Sequence, residues 1–465
     1  MTKKAANDYA KLRRDVRSDW VQWIRERDEP KYASKKPEAL SDLVVLDLSY
    51  ANMGGLYCST LLGDWGADVI RVEPPEGDFA RTFSPYGEMV NGTGISYLVE
   101  GRNKHSTTLR LENTKGKELF KSLVAKADVL IETFKTGVMD DWGLGYETLK
   151  EINPRLIYCS MYGYGQFGSD ANCGKSSYDN TDQARSGVQQ TCGEVLMEGE
   201  TYDSCPYAIP TRLGGWDAWY EGGINAFLGI MAAVYYRSKT GEGQAIDVTA
   251  SEAFARNIGF DFSRYASRGT VAQRFGSYDQ AVWLYAFLPS TDGGVFLGCV
   301  SFRLWEALMD VVSEDDETKD FKDKWGPEAG YDSVLKLLPR EVQLAVYKDL
   351  EKWTSKRSSE EMIQIAVEYE KNGRLAPVTF ACGKIEQLKD VPTRENWFER
   401  GLFQEVNDPY YGKILMVNNP FKMTESPPRL KWVCRSVGAD NESIYAKYLG
   451  LGPSEISRLR NEGVM

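Results

Sequence analysis

The chain has one histidine in 465 residues, His105. That scarcity excludes most zinc sites, which draw their ligands from His and Cys. It also leaves a Ser-His-Asp relay a single imidazole to use. His105 ends a basic run, Arg102-Asn103-Lys104-His105, which reads as a turn with a solvated or ligand-edge histidine. The eight cysteines are Cys58, Cys159, Cys173, Cys192, Cys205, Cys299, Cys382 and Cys434. They form no C-x-x-C pair and no spaced framework, so free thiols in a reducing, cytoplasmic compartment are expected, and no metal centre. No apolar run reaches the roughly 18–20 residues that cross a bilayer, which excludes a membrane partner of that kind. Positive charge is also short. The 56 basic and 67 acidic side chains give −11 at pH 7, a poor match to nucleic acid. A local basic pocket for a small anionic ligand is still allowed.

What is present points to a globular α/β protein. Hydrophobic residues make up 42% and charged residues 26%, enough apolar material for two or three domains. The first 36 residues carry Asp and Glu among Lys and Arg, unlike a signal or transit peptide. Within them Tyr9, Leu12, Val16, Trp20 and Trp23 recur at helical spacing, predicting an amphipathic helix that packs on the body or on a partner subunit. Short β-branched runs follow at residues 43–49, 67–72, 106–111, 128–132, 156–161 and 244–249. Helical stretches alternate with them, including a long apolar one at 222–239 closed by Thr240-Gly241. Strands alternating with helices predict a parallel sheet covered on both faces, with ligands at the strands' carboxyl ends. Residues 281–300 read as a hairpin turning at Asp292-Gly293-Gly294, and charged helices follow to residue 372. The expected layout is a helical extension at 1–39, a large domain at 40–250, a linker and small α+β domain at 251–405, and a return segment at 406–465 that packs on the large domain.

Two glycine motifs mislead. Gly163-Tyr164-Gly165-Gln166-Phe167-Gly168 fits G-x-G-x-x-G, but loop sequence follows it where the dinucleotide fingerprint needs a helix. Residues 168–176 miss the phosphate-loop spacing by one residue. With these set aside, carboxylates and thiols are the reactive groups left, and a carboxylate can serve as a covalent nucleophile.

An ordered series of short pieces then carries a resemblance. They are Leu46-Asp47 ahead of Gly54; Gly66-Ala67-Asp68-Val69-Ile70 with Glu73; Arg102-Asn103-Lys104 ahead of Ser106; and Ala127 to Glu132. Next come Asn153 to Ile157, Gly163 to Gln166, Tyr178-Asp179 with Gln183-Ala184, Ser186-Gly187, Thr240 to Gln244, and Thr291-Asp292-Gly293. Each alone is weak; in this order, from about Leu40 onward, the chain resembles the family III CoA-transferases, the group of formyl-CoA:oxalate, carnitine and bile-acid CoA-transferases. The resemblance implies a Rossmann-like large domain with a parallel sheet, a smaller domain, and two subunits interlocked as a homodimer. It implies CoA transfer from an acyl-CoA to a free carboxylic acid through an aspartyl anhydride and an aspartyl-CoA thioester, with no metal.

Carried over residue by residue, the resemblance makes Asp217 the nucleophile, just ahead of the long apolar helix. Members place the aspartate four residues before a glycine; here Gly222 stands five on, so Asp203 and Glu221 are alternatives. A helix N-cap is the competing role for Asp217. For coenzyme A the resemblance implies Asn52 and Met53 near the adenine, Leu109 and Glu112 after the basic run, and Thr133, Phe134 and Lys135 after the fourth strand. Tyr178 and Asp179 fall at the pantetheine arm. Basic residues of the family are replaced here by Pro74 and by Asp141 or Trp142, so phosphate contacts shift to Arg71, Arg102 or Lys104. Trp216, Trp219 and Tyr220 are either an aromatic wall for the acid or core. The rival activity on this fold, acyl-CoA racemisation or epimerisation, needs an acid/base pair in which relatives use histidine. A non-catalytic CoA-binding role would leave Asp217 dispensable.

Overall fold

The computed structural model describes residues 33–171, 174–193, 210–272, 274, 276–279, 284–327, 338–369 and 380–465. The helix expected within residues 9–23 lies outside them, as do Asp203, Cys173 and Cys205. The described residues divide into two compact units. One comprises 33–189, Arg212–Phe262 and Glu395–Met465; the other holds 190–193, 210–211 and the described part of Ser263–Arg394.

The first unit is built on six parallel strands: β1 (Val44–Leu48), β2 (Asp68–Glu73), β3 (Lys104–Thr108), β4 (Val129–Glu132), β5 (Ile157–Met161) and β6 (Ala245–Val248). Their spatial order is β3-β2-β1-β4-β5-β6, the order of a doubly wound nucleotide-binding sheet. Successive side chains point to opposite faces of a strand, and the sequence fills both faces. Leu46, Ile70, Leu130 and Tyr158 join one core with helix α2 (Thr114–Val124), α3 (Tyr146–Ile152) and the C-terminal helices Asn441–Leu449 and Pro453–Asn461. Val45, Val69, Val129 and Ile157 join the other core with α1 (Met53–Asp64) and α5 (Asp217–Thr240). Between α3 and α5 in sequence lies the short helix α4 (Asp179–Ser186).

β3 starts and ends earlier than its apolar run predicts, because Lys104 already pairs with Val69 in the ladder. The basic run that reads as a turn is interior. Arg102 is bound to Asp64 at 2.8 Å, and Lys104 donates to Thr60 Oγ1 at 2.5 Å and to the Glu100 carbonyl.

In the second unit Tyr285–Ser290, Gly293–Gly298 and Ala381–Lys384 form an antiparallel sheet. Gly293, with φ +128, makes the tight turn between the first two strands. Helices Phe302–Val312, Arg340–Thr354 and Ser359–Glu368 share one core with this sheet around Trp305, Tyr347 and Trp353.

Candidate active site

In a sheet of this order the crevice opens at the carboxyl ends of β1 and β4, where the chain turns away in opposite directions. The loop after β1 is fixed by a buried polar network. Asp47 accepts the N–H of Ser49 at 2.8 Å, the Ser59 hydroxyl at 2.6 Å and Arg71 Nη1 at 3.0 Å. Arg71 is fully buried and also donates to Asp78 and to the Ser49 carbonyl at 2.6 Å. Asp78 in turn accepts the N–H of Ala51 at 2.9 Å, which holds Ala51 at φ +47, a left-handed backbone that alanine seldom takes. Across the crevice the Thr133 hydroxyl accepts the Tyr50 N–H at 2.9 Å, and the Phe134 ring stacks on Tyr50.

Beside this loop lies a cavity of about 300 Å³. Its apolar lining comes from Leu48, Val72, Leu109, Leu111, Phe134 and Trp142, and its polar lining from Ser49, Tyr50, Arg71, Glu73, Glu76, Asp78 and Glu112. The volume is at the lower end of small-molecule sites.

Helix α5 brings Asp217 to the same end of the sheet. The first turns of α1 and α5 touch: a Cβ on Gly54 would lie 2.3 Å from the Trp219 carbonyl oxygen, and one on Gly223 2.4 Å from the Gly54 oxygen. Only glycine at these positions allows so close a crossing. Asp217 is the first helical residue; the N-cap is Trp216, which contributes no side-chain cap. The cap comes from another helix. Asp179, 3% exposed, accepts the Trp219 N–H at 3.0 Å and Gln183 Nε2 at 2.7 Å. Asp182 accepts Trp219 Nε1 at 3.2 Å and the Ser177 hydroxyl at 2.7 Å. Burial pushes the Asp182 carboxyl up to about 7. Asp217 itself is half-buried, and among the described residues its carboxylate accepts no hydrogen bond. Burial raises its pKa and the Arg212 charge draws it partly back. It is a carboxylate at a helix N-terminus, of raised basicity and without a hydrogen-bonded partner among the described residues.

The other expected residues fall into three groups. Leu109, Glu112 and Phe134 line the cavity, Thr133 braces its loop, and Lys135 is exposed next to Phe134. Tyr178 is 60% exposed at the N-cap of α4. The rest have structural duties in this fold. Asn52 uses its side-chain oxygen to cap α1, accepting the N–H groups of Gly54 and Gly55 at 2.9 and 3.0 Å. Met53 is fully buried in the core and Asp179 is spent on α5. Lys104, 2% exposed toward the amino end of β3, is out of reach of a ligand's phosphates, and burial pulls its ammonium down to about 8. Arg102 is likewise consumed in an interior ion pair, whereas Arg71, paired with Asp47, lines the cavity and keeps its Nε without a hydrogen-bond partner among the described residues. Trp219 is fully buried and stacks with Trp216 and Phe83 as core. His105 is neither solvated nor at a ligand edge. It lies between the Asp68 carboxylate at 3.3 Å and the Asp440 carboxylate at 3.5 Å, and these two acids, Asp440 first, lift it to about 9.

Sequence reasoning missed the network behind the Thr133 loop. Glu132, at the end of β4, accepts the Phe134 N–H at 2.7 Å and the Ser160 hydroxyl. Gln166 Nε2 donates to Ser160 Oγ at 2.7 Å, and its N–H to Asp247 at 2.9 Å. Burial pushes Glu132 up to about 7. The Gly163–Gly168 motif therefore braces the site's loops through Gln166. Its only sequence signal was the polar Gln166 between glycines.

Comparison with known proteins agrees with this layout. The family model described as CoA-transferase family III matches residues 40–441. The succinyl-CoA:mesaconate CoA-transferase of Haloarcula marismortui is 31% identical over 84% of this chain and 91% of its own length. The formyl-CoA:oxalate CoA-transferase of Afipia carboxidovorans is 26% identical over 92% of this chain and 98% of its own. The crystal structure of a CAIB/BAIF family protein from Brucella suis superposes with a TM-score of 0.70 at 25% identity, covering 89% of this chain and all of that one. The chain belongs to CoA-transferase family III and is an enzyme of that family.

Proposed function

We propose that this enzyme moves coenzyme A from an acyl thioester to a free carboxylic acid with Asp217 as the covalent nucleophile. The observation that carries the reading is the half-buried Asp217 carboxylate, relieved of capping duty by Asp179 at the mouth of the sheet crevice. In this account coenzyme A lies with its nucleotide end in the cavity lined by Leu109, Glu112 and Phe134. Its thioester reaches the first turn of α5.

The steps balance without any added reagent. The Asp217 carboxylate attacks the thioester carbonyl, the C–S bond breaks, and a mixed anhydride and CoA thiolate form. The thiolate attacks the aspartyl carbonyl of the anhydride, releasing the donor acid as its carboxylate and leaving an aspartyl-CoA thioester. The acceptor carboxylate attacks that thioester and expels the thiolate. The thiolate then takes the acceptor acyl group and restores Asp217. A desolvated carboxylate of raised basicity is the better nucleophile, and each oxyanion gains from the positive end of α5. The proposal includes an interlocked homodimer in the cytoplasm.

The relatives described above are named for succinyl-CoA with mesaconate and for formyl-CoA with oxalate, so these two donors and two acids are the first panel. Initial rates with the active pair should give parallel double-reciprocal lines, the mark of a covalent intermediate. Intersecting lines would show that the donor acid is still bound when the acceptor enters, and would overturn its early release.

A further inference from the structure

In the proposed cycle the acceptor acid enters as an anion and must reach the acyl carbon of Asp217. The start of α5 is acidic. Asp179 caps this helix through the Trp219 N–H at 3.0 Å, and Asp182 takes the Trp219 indole N–H at 3.2 Å. Burial first, and the Asp217 charge after it, raise the Asp179 carboxyl, so these two acids feel each other. An anion arriving here is repelled unless a cation meets it. Arg212 supplies that cation. Burial raises Asp217 and the Arg212 charge lowers it, which places the guanidinium within electrostatic reach of the carboxylate. The two side chains form no ion pair with each other, so Arg212 is not spent on the nucleophile.

Helix α4 positions both groups. The Leu213 N–H donates to Gln183 Oε1 at 3.1 Å, and Arg212 Nη1 reaches Asn180 Oδ1 at 3.5 Å. Gln183 Nε2 in turn donates to Asp179 at 2.7 Å. One stretch of α4, residues 179–183, thus anchors the backbone beside Arg212 and caps the helix that opens with Asp217. Arg212 itself is exposed, and one long contact to an amide leaves most of a five-donor guanidinium for a ligand.

We propose that Arg212 is the acid-binding residue of this site: its guanidinium holds the carboxylate of the free acid beside Asp217, receiving the acceptor and steadying the donor acid as it leaves. This rests on Asp217 being the nucleophile. A planar guanidinium takes a carboxylate through two parallel hydrogen bonds. Each carboxylate oxygen then keeps a lone pair with which to attack the aspartyl carbonyl. A lysine in this place would supply the charge without the fork.

The test is steady-state kinetics of wild type, Arg212→Gln and Arg212→Lys, with succinyl-CoA and mesaconate and with formyl-CoA and oxalate. Arg212→Gln should raise KM for the acid by about tenfold or more, the contribution of a charge-assisted hydrogen bond, and leave KM for the acyl-CoA within about twofold. Arg212→Lys should fall between the two. An unchanged acid KM in Arg212→Gln would overturn the inference. An equal rise for acid and acyl-CoA would also overturn it, because Arg212 would then serve coenzyme A or the fold. Intact-protein mass after incubation with the acyl-CoA alone separates this from the nucleophile. Arg212→Gln should still carry its coenzyme A adduct on Asp217, whereas a wild-type adduct on another residue would refute Asp217 itself and with it the role of Arg212.

Discussion

The Asp179 carboxylate accepts the Trp219 backbone N–H at 3.0 Å and so caps the helix that opens with Asp217. Two acids at one helix end divide the work. The one from α4 is committed to structure and is 3% exposed. In the proposed mechanism the one on the helix itself keeps its oxygens for chemistry. Asp179→Ala should lower unfolding free energy by about 0.5–2 kcal/mol, the cost of a lost cap. It should also lower kcat more than it raises KM, because the nucleophile's helix start is loosened. Asp179→Asn keeps an acceptor and should recover most of both. Denaturant unfolding with steady-state kinetics on the three proteins checks this; an Asp179→Ala enzyme of unchanged stability and kcat would contradict it.

The crossing of α1 and α5 depends on Gly223, whose hydrogens face the Gly54 carbonyl. Gly223→Ala would put a methyl 2.4 Å from that oxygen. The helices must then part, at a cost of about 1–3 kcal/mol, and Asp217 moves with α5. A fall in melting temperature together with reduced turnover is expected. Wild-type values for both would mean the crossing is looser than described.

His105 binds Asp440, and so ties the segment that leads into the C-terminal helices to β3. Its folded pKa of about 9 lies above the unfolded value near 6.5. The stabilisation is therefore complete below about pH 6.5 and is lost as pH rises through about 9. Unfolding free energies of wild type and His105→Gln should converge by on the order of 1 kcal/mol between pH 6 and pH 9.5, allowing for solvent screening. A gap that does not change with pH would contradict the ion pairs.

Glu132 carries the same argument with an acid. Its folded pKa of about 7 lies above the unfolded value near 4.3, so its contribution is greatest below about pH 4.3 and falls as pH rises through about 7. Glu132→Gln, neutral throughout, should gain on the wild type by on the order of 2 kcal/mol between pH 5 and pH 8. Glu132→Ala should lose about 1–3 kcal/mol at pH 5, since the Phe134 N–H and Ser160 hydroxyl lose their acceptor. Denaturant titrations at the two pH values decide between these outcomes.

Much of the sheet was legible because its signals are local. The runs around Val45, Val69, Val129 and Ile157 carry apolar side chains on both alternating positions, as strands buried on two faces must. The start of β3 was not legible, because a basic run is interior only when Asp64, Thr60, Glu100, Asp68 and Asp440 converge on it from distant segments. The start of α5 was hidden for the same reason: the sequence favours a helix from Gly222, but Asp179, far off in the chain, lets it begin at Asp217. Phe134, Leu109 and Glu112, expected from the resemblance, line one cavity. The commitments of Asn52, Met53, Lys104 and Asp179 were not, since burial and capping depend on the assembled fold.

The most direct test of Asp217 is the intact-protein mass after incubation with the reactive acyl-CoA and trapping with hydroxylamine or borohydride, in wild type and Asp217→Ala. The account predicts a coenzyme A adduct on the wild type before trapping, a modified Asp217 peptide after it, and neither in the variant. An adduct that persists in Asp217→Ala and maps to Glu221 or Asp203 would contradict it.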